Sequence, residues 1–323
     1  MPQKDIFTKS LSRYGPAPKT HEERCLRIKD FFNPVHSRIS LKSVNMALLD
    51  RHGVSLSMVR DDLLHPMIAG NKWWKLKHAL LDAAKRRLPM LLTFGGPYSN
   101  HILAVAAAGR LFGFKTVGII RGEEARPLNP VLVQARQWGM QLVGISRAQY
   151  RKKTEPRFLS ELESDWGPCM ILPEGGSGSF AVQGASEMVR RMTKDYDILC
   201  CPVGTGGTMA GMVLGAREQS KVLGFSVLKG GNFLARDIRG LLQVHSPVAR
   251  SWELVTRYHF GGYARSDDAL LTFCNLFRSS QGVSLDPVYT GKMMCGIVDM
   301  LGKGRFRKGS RIVAWHTGNA WMA

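Results

Sequence analysis

Apolar and polar residues follow two periods along this chain, and the two periods take turns. Val54-Ser55-Leu56-Ser57-Met58-Val59 alternates with period two, the mark of a half-buried strand. Trp73, Leu76, Leu80 and Ala83 or Ala84 then recur at helical spacing, which predicts a helix over 72–87 that Pro89 limits. Met90-Leu91-Leu92-Thr93-Phe94 reads as a strand entering Gly95-Gly96. Ser99 is placed to cap a helix through Ile102, Leu103, Ala106 and Ala107, with Gly113 beyond its end. Further strands are predicted over 116–120, 141–145, 170–172, 198–201, 222–227, 254–258 and 311–315. Helices are predicted over 130–138, 156–166, 181–192, 208–217, 266–278 and 292–301, with a basic loop after 145. The first forty residues, polar and proline-punctuated around Phe31-Phe32-Asn33-Pro34, read as an arm packed over a domain. Such alternation predicts an α/β fold with mostly parallel sheets covered on both faces.

Composition changes this picture little. A chain of 323 residues with 44% hydrophobic and 22% charged residues buries a large core in one or two domains. Its 34 glycines imply many tight corners. No apolar run approaches the ~18 residues of a membrane span, and no signal-like region follows Met1. The six cysteines show neither a CxxC pair nor finger-like spacing, so free thiols, no metal and a cytoplasmic location are expected.

The formal charge of +20 does demand a partner or a reason. Its residues are scattered in short groups such as Lys85-Arg86-Arg87 and Arg151-Lys152-Lys153. No homeodomain-like, RRM-like or zinc-finger pattern organises them, so a basic solvated surface is expected rather than a specific nucleic-acid site.

Three places carry candidate chemistry. Lys72 begins an apolar-faced helix before Trp73-Trp74, where partial burial would keep some of its amine free to attack an aldehyde. Ser99-Asn100-His101 follow a strand and open a helix, at the sheet edge where α/β proteins place ligands. Gly204-Thr205-Gly206-Gly207-Thr208 follows another strand, where turn amides, hydroxyls and a helix start favour a phosphate. That corner is neither a Walker motif nor a Rossmann fingerprint. Each signal has a plainer reading: a solvated lysine, an N-cap serine and a structural glycine turn. Together they suggest a pyridoxal-phosphate enzyme.

The chain resembles the fold-type-II pyridoxal-phosphate enzymes of the tryptophan-synthase-β-like superfamily, and within them the 1-aminocyclopropane-1-carboxylate deaminase/D-cysteine desulfhydrase family. The matching runs are Arg60-Asp61-Asp62, Gly70-Asn71-Lys72 with Lys75-Leu76, Ser99-Asn100-His101, 204–208, Leu285–Lys292 and His316-Thr317-Gly318. The resemblance implies two three-layer α/β/α domains, a smaller one over 45–160 and a larger cofactor-binding one from 1–44 plus 161–323. It implies pyridoxal 5'-phosphate held covalently by Lys72, which also moves protons. Asn100 would bond the ring oxygen, and Gly204, Thr205, Gly206, Gly207 and Thr208 would hold the phosphate. Thr317 would contact the pyridine nitrogen, with Thr290 beside it. Ser99 would bind the substrate carboxylate or assist at the reacting carbon. His101, Tyr263 and Tyr289 would line the substrate pocket, Tyr289 with a catalytic part.

Position 290 separates the subclasses, because the cyclopropane deaminases are expected to carry Glu there. Thr290 cannot hold the ring nitrogen protonated, which favours elimination from D-cysteine, giving pyruvate, ammonia and sulfide, over cyclopropane ring opening. The alternatives are 1-aminocyclopropane-1-carboxylate deamination, another fold-type-II dehydratase or racemase, and a non-catalytic cofactor-binding or basic adaptor protein. A homodimer acting on a small amino acid is expected. Trp73-Trp74 in place of Thr-Arg, and Asn319 in place of Gly, depart from the family pattern and would reshape the pocket.

Overall fold

The structure, a computed structural model, describes residues 15–33, 39–122, 127–245 and 250–318. The beginning of the expected arm, Pro34 and the departure at Asn319 lie outside the described residues. In chain order the elements run α1 (His21–Phe31), β1 (Leu41–Val44), α2 (Ala47–His52), β2 (Ser55–Val59), α3 (Asn71–Lys85), β3 (Met90–Gly95), α4 (Asn100–Phe112) and β4 (Lys115–Arg121). Next come α5 (Pro130–Gln137), β5 (Met140–Ile145), α6 (Arg147–Arg151), α7 (Pro156–Trp166), β6 (Cys169–Leu172), α8 (Ser179–Arg190) and β7 (Ile198–Val203). The chain continues with α9 (Gly207–Gly215), β8 (Lys221–Ser226), α10 (Leu234–Gln243), β9 (Ser251–Val255), α11 (Asp268–Gln281), α12 (Thr290–Gly302) and β10 (Arg311–Trp315).

These elements form two compact units, one from residues up to 38 with His65–Ala181, the other from Ile39–Leu64 with the chain from Val182 onward. Sheet membership therefore divides the chain elsewhere than at the expected 45 and 161. β1 and β2 hydrogen-bond towards β10, and β6 hydrogen-bonds to β3, so each joins the sheet that its ladder completes.

The first unit is built on a four-stranded parallel sheet in the order β5-β4-β3-β6. Leu91, Leu92 and Phe94 of β3 are buried, as are Ile102, Leu103 and Val105 on α4. Ser99 caps α4 by accepting from the backbone N–H groups of His101 and Ile102, and Gly113 closes it in the left-handed region at φ 72°. α4 approaches β4 so closely that a Cβ on Gly109 would lie 2.4 Å from Thr116 Cγ2.

The expected arm is a helix over its middle. Thr20 and Glu23 close a capping box at the start of α1. The Arg24 guanidinium donates to the carbonyls of Phe112 at 3.0 Å and Gly113 at 2.8 Å, satisfying the end of α4. At the other end of α1, Phe31 stacks on Trp73 with ring centres 4.4 Å apart and meets Phe112 edge-on at 5.1 Å. The ring of Trp73 is thus taken up in packing α1 against α3. Trp74, roughly 200° around the helix from Lys72, is fully buried. Replacing Arg24 with methionine should cost about 1.5–3 kcal/mol, because charged hydrogen bonds to partly buried carbonyls are lost. Urea unfolding would read this as a lower midpoint at constant slope.

The second unit holds a six-stranded sheet in the order β1-β2-β10-β7-β8-β9, antiparallel only at β1. Its core gathers Cys200, Leu223 and Phe225 from the strands with Met293 and Ile297 from α12. The exits of β2 and β10 are braced together: Trp315 Nε1 donates to Asp61 Oδ2 at 2.6 Å, and Arg60 pairs with Asp62 at 2.7 Å.

Several elements differ from the sequence expectation. α6 occupies part of the basic loop, closed by a Ser146–Gln149 capping box. β9 begins at Ser251, three residues before the expected strand. α1, β1, α2 and α10 were not expected as elements at all. All six cysteines are free. Among the described residues, no helix is long and apolar enough to cross a membrane.

Candidate active site

On the first unit, Gly70 turns the chain at φ 62° and α3 begins at Asn71. Lys72 therefore sits in the first helical turn, its Nζ donating to Asn71 Oδ1 at 2.9 Å. Burial of the amine lowers its pKa from 10.5 to about 8, so an appreciable fraction is a free base near neutrality. One turn on, Lys75 is buried, with Nζ donating to Ser177 Oγ at 3.2 Å. Burial first, and then the neighbouring charge of Lys72, push it well below the ordinary lysine range.

His101, at the start of α4, is held as a neutral imidazole by burial, then by the charges of Lys72 and Lys75. Among the described residues, neither of its ring nitrogens has a hydrogen-bond partner, nor does the buried Oδ1 of Asn100. Buried polar atoms of this kind cost free energy until something pairs with them. A Cβ on Gly176 would stand 2.8 Å from His101 Cε1, so the glycine makes room for the ring. Ser99 spends its oxygen lone pairs on the helix cap and retains one proton to donate. The structure thus brings Lys72, Ser99, Asn100 and His101 onto one unit.

On the second unit, β7 runs out at Val203 into the 204–208 corner, and α9 starts at Gly207. Gly206 turns the chain in the left-handed region at φ 83°. A Cβ on Gly206 would press to 2.9 Å from Ile238 on α10, and one on Gly204 to 3.3 Å from the Tyr289 ring. The corner therefore offers backbone at close range, with Thr205 partly buried and Thr208 buried.

Tyr289 immediately precedes α12, and its hydroxyl lies 3.4 Å from that of Tyr263. Asp286 fixes this turn by accepting from the backbone N–H of Tyr289 at 2.6 Å and of Thr290 at 3.0 Å. The Thr290 hydroxyl donates to Asp286 Oδ2 at 2.6 Å and accepts from Asp286 N at 2.9 Å. Its single proton is therefore committed within the turn. Thr317 is buried just beyond β10, next to His316, whose Nε2 lies 2.9 Å from the Ser284 carbonyl.

Sequence reasoning gave no role to Lys75, Ser177, Asp286 or Lys292. The signals available were the three-residue spacing of Lys72 and Lys75, which places both on one helix face, and the Leu285–Lys292 run, which holds Asp286 and Lys292. The weight of Lys292 comes from burial, which the sequence does not print.

A family model described as "Pyridoxal-phosphate dependent enzyme" matches residues 43–318. A Thermotoga maritima protein carrying the provisional name 1-aminocyclopropane-1-carboxylate deaminase is 31% identical over 84% of this chain and 90% of its own. The mitochondrial bifunctional D-cysteine desulfhydrase/1-aminocyclopropane-1-carboxylate deaminase of Arabidopsis thaliana is 28% identical over 83% of this chain and 73% of its own. In fold, the chain superposes on a crystal structure described as an ACC deaminase homologue with a TM-score of 0.77, at 24% identity, covering 90% of this chain and 94% of that one. The chain accordingly belongs to the fold-type-II pyridoxal-phosphate-dependent enzymes of the tryptophan-synthase-β-like superfamily, in the 1-aminocyclopropane-1-carboxylate deaminase/D-cysteine desulfhydrase family, with pyridoxal 5'-phosphate as cofactor.

Proposed function

We propose that the chain hydrolytically deaminates a small amino acid, with 1-aminocyclopropane-1-carboxylate as the leading substrate. The observation that carries deamination is the Lys72 amine, lowered to about 8, on the same unit as the unpartnered Asn100 and His101 atoms. The cyclopropane acid leads because both curated relatives above, from Thermotoga and Arabidopsis, carry that deaminase activity in their names. The sequence expectation, which put D-cysteine first, is thereby reordered.

The residues present fit the cofactor. Lys72 supplies an amine for covalent attachment, Asn100 and His101 hold orphaned polar atoms, and Gly206 lets the 204–208 corner turn tightly against Ile238, as only a residue without a side chain can. When bound, the cofactor contributes an aldehyde to the lysine and a conjugated ring that accepts the electron pair of the broken bond. Lys72 Nζ would hold it and would also serve as the base that moves substrate protons. Asn100 would bond the ring oxygen. The amides of 204–208, with the hydroxyls of Thr205 and Thr208, would bind the phosphate at the start of α9. Ser99 would offer its remaining proton to the substrate carboxylate. His101, Tyr263 and Tyr289 would contact the substrate, Tyr289 as a proton donor or acceptor. Thr317 would contact the pyridine nitrogen, while Thr290 stays bonded to Asp286 within its own turn.

Thr290 supports a second reading, thiolate elimination from D-cysteine. A hydroxyl whose proton is committed to Asp286 brings no negative charge to a ring nitrogen, which weakens the electron sink and suits a good leaving group. With water consumed, D-cysteine gives pyruvate, ammonia and hydrogen sulfide, whereas the cyclopropane acid gives a four-carbon 2-oxo acid and ammonia. A 2-oxo-acid assay of cofactor-loaded protein over 1-aminocyclopropane-1-carboxylate, D- and L-cysteine, D- and L-serine and β-chloro-D-alanine separates the readings. The highest kcat/KM is expected for the cyclopropane acid. A higher value for D-cysteine would install the second reading, and no product from any of them would remove both.

A further inference from the structure

Lys292 is fully buried, yet it belongs to none of the roles above. It is the third residue of α12, one turn beyond Tyr289. Its Nζ donates to the carbonyl of His259 at 2.9 Å and to that of Gly262 at 2.6 Å. Both acceptors belong to the segment that carries Tyr263.

That segment has an unusual backbone. Phe260, Gly261, Gly262 and Ala264 all have positive φ, at 48°, 87°, 118° and 54°. Two of these residues carry a Cβ, so the conformation is costly and persists only where its surroundings enforce it. Two local backbone hydrogen bonds close the loop, from Gly262 N to His259 O at 2.9 Å and from Arg265 N to Gly262 O at 3.1 Å, and Gly261 N donates to His259 Nδ1 at 3.1 Å. Those same two carbonyls receive the Lys292 amine. A charge-assisted donor gripping both adds a restraint stronger than a neutral hydrogen bond. Across from it, Asp286 fixes the Tyr289 turn, and the two phenol rings meet edge-on with centres 6.0 Å apart.

We infer that Lys292 is a positioning residue: it straps the strained 259–264 loop from α12, so that the Tyr263 hydroxyl is held against that of Tyr289. The side chain thereby couples two pocket tyrosines that lie 26 residues apart in sequence. Burial of an uncompensated amine would otherwise be disfavoured. Here burial lowers its pKa, Asp286 and Asp267 offset part of that, and the balance leaves it at about 8. The carbonyl pair is the return for that cost. The part of this inference that concerns turnover rests on the proposed function; the strap itself does not.

The test compares Lys292→Met, Tyr263→Phe and the double variant with the unaltered protein, all loaded with pyridoxal phosphate. Hydrogen exchange by mass spectrometry should show the 259–265 amides of Lys292→Met exchanging about tenfold faster, with β7 and β8 unchanged. Its kcat/KM for the best amino acid should fall about 10- to 100-fold, mainly in kcat, since misplacing a pocket group by about 1 Å costs that much. Once Tyr263 is already phenylalanine, Lys292→Met should change kcat/KM by less than about twofold, because both changes remove one coupled element. Lys292→Gln, which keeps donors but removes the charge, should lie between and guards against loss of the fold. Unchanged loop exchange in a folded Lys292 variant would overturn the strap. Independent, multiplicative effects in the double variant would overturn its action through Tyr263. Should the unaltered protein turn over no amino acid while the exchange change appears, the proposed reaction fails and the strap stands.

Discussion

Lys72→Ala should lose the covalent link to pyridoxal phosphate and, with it, about 10²–10⁴-fold or more in turnover, the range expected for a positioned base alone. Borohydride reduction of the unaltered protein followed by peptide mapping should find the cofactor on Lys72. The serious competitor is Lys75, one turn away and likewise pushed below the ordinary lysine range by burial. Two features argue for Lys72. Lys75 is buried against Ser177, whereas Lys72 sits in the first turn of α3 with part of its surface open. Only an amine that an aldehyde can reach is useful as a nucleophile. A mapped adduct on Lys75 would overturn the assignment. The pH dependence has a definite sign. Uptake of cofactor by cofactor-free protein needs the unprotonated amine, so its rate should climb as pH rises through about 8 and level off above. A rate that stayed flat between about pH 6.5 and 9 would mean that the attacking amine is not the one lowered to about 8.

Much of this was legible because local chemistry and global fold agree. Ser99 and Gly113 mark the two ends of α4 as the sequence predicts, since a cap and a left-handed stop are properties of a few adjacent residues. The strand-to-corner transition at 204–208 was equally readable from its glycines. α10 was missed although Leu234, Ile238 and Leu242 recur at helical spacing and are buried. The helix follows the Gly230-Gly231 turn, which reads as loop and masks the period. β9 was displaced by three residues because Trp252 and Glu253, rather than the aromatic Tyr258, fall in register with β8. The bulk of Trp73, expected near the lysine, instead meets Phe31 and Phe32 from α1, a contact across some forty residues of chain. No local pattern announces such a partner. The same holds for the site: Lys72 stood out through its neighbours, whereas Lys75 and Lys292 acquire importance from burial and from acceptors brought by other elements, and Asp286 from the turn it closes on Tyr289 and Thr290.

The second large effect belongs to Gly206. Gly206→Val should weaken pyridoxal phosphate binding by about 30-fold or more, and the size follows from two separable costs. The residue turns the chain at φ 83°, where a side chain adds about 1–2 kcal/mol of strain. Its Cβ would also meet Ile238 Cγ1 at 2.9 Å, and forcing extra carbon into packed surroundings costs about 1–3 kcal/mol. Either α10 retreats or the corner opens. An opened corner disperses the N–H groups at the start of α9, which bind a phosphate only while they converge. Gly230→Val supplies the control. Gly230 has a φ of 70°, and an added Cβ would meet nothing within 4 Å among the described residues, so it bears the strain without the contact. That variant should lose some stability yet bind the cofactor within about twofold of the unaltered protein. Absorbance titration of cofactor gives both dissociation constants, and circular dichroism checks that helicity is preserved. If Gly206→Val binds cofactor as Gly230→Val does, the phosphate is held elsewhere, and the 204–208 corner is only a turn between β7 and α9.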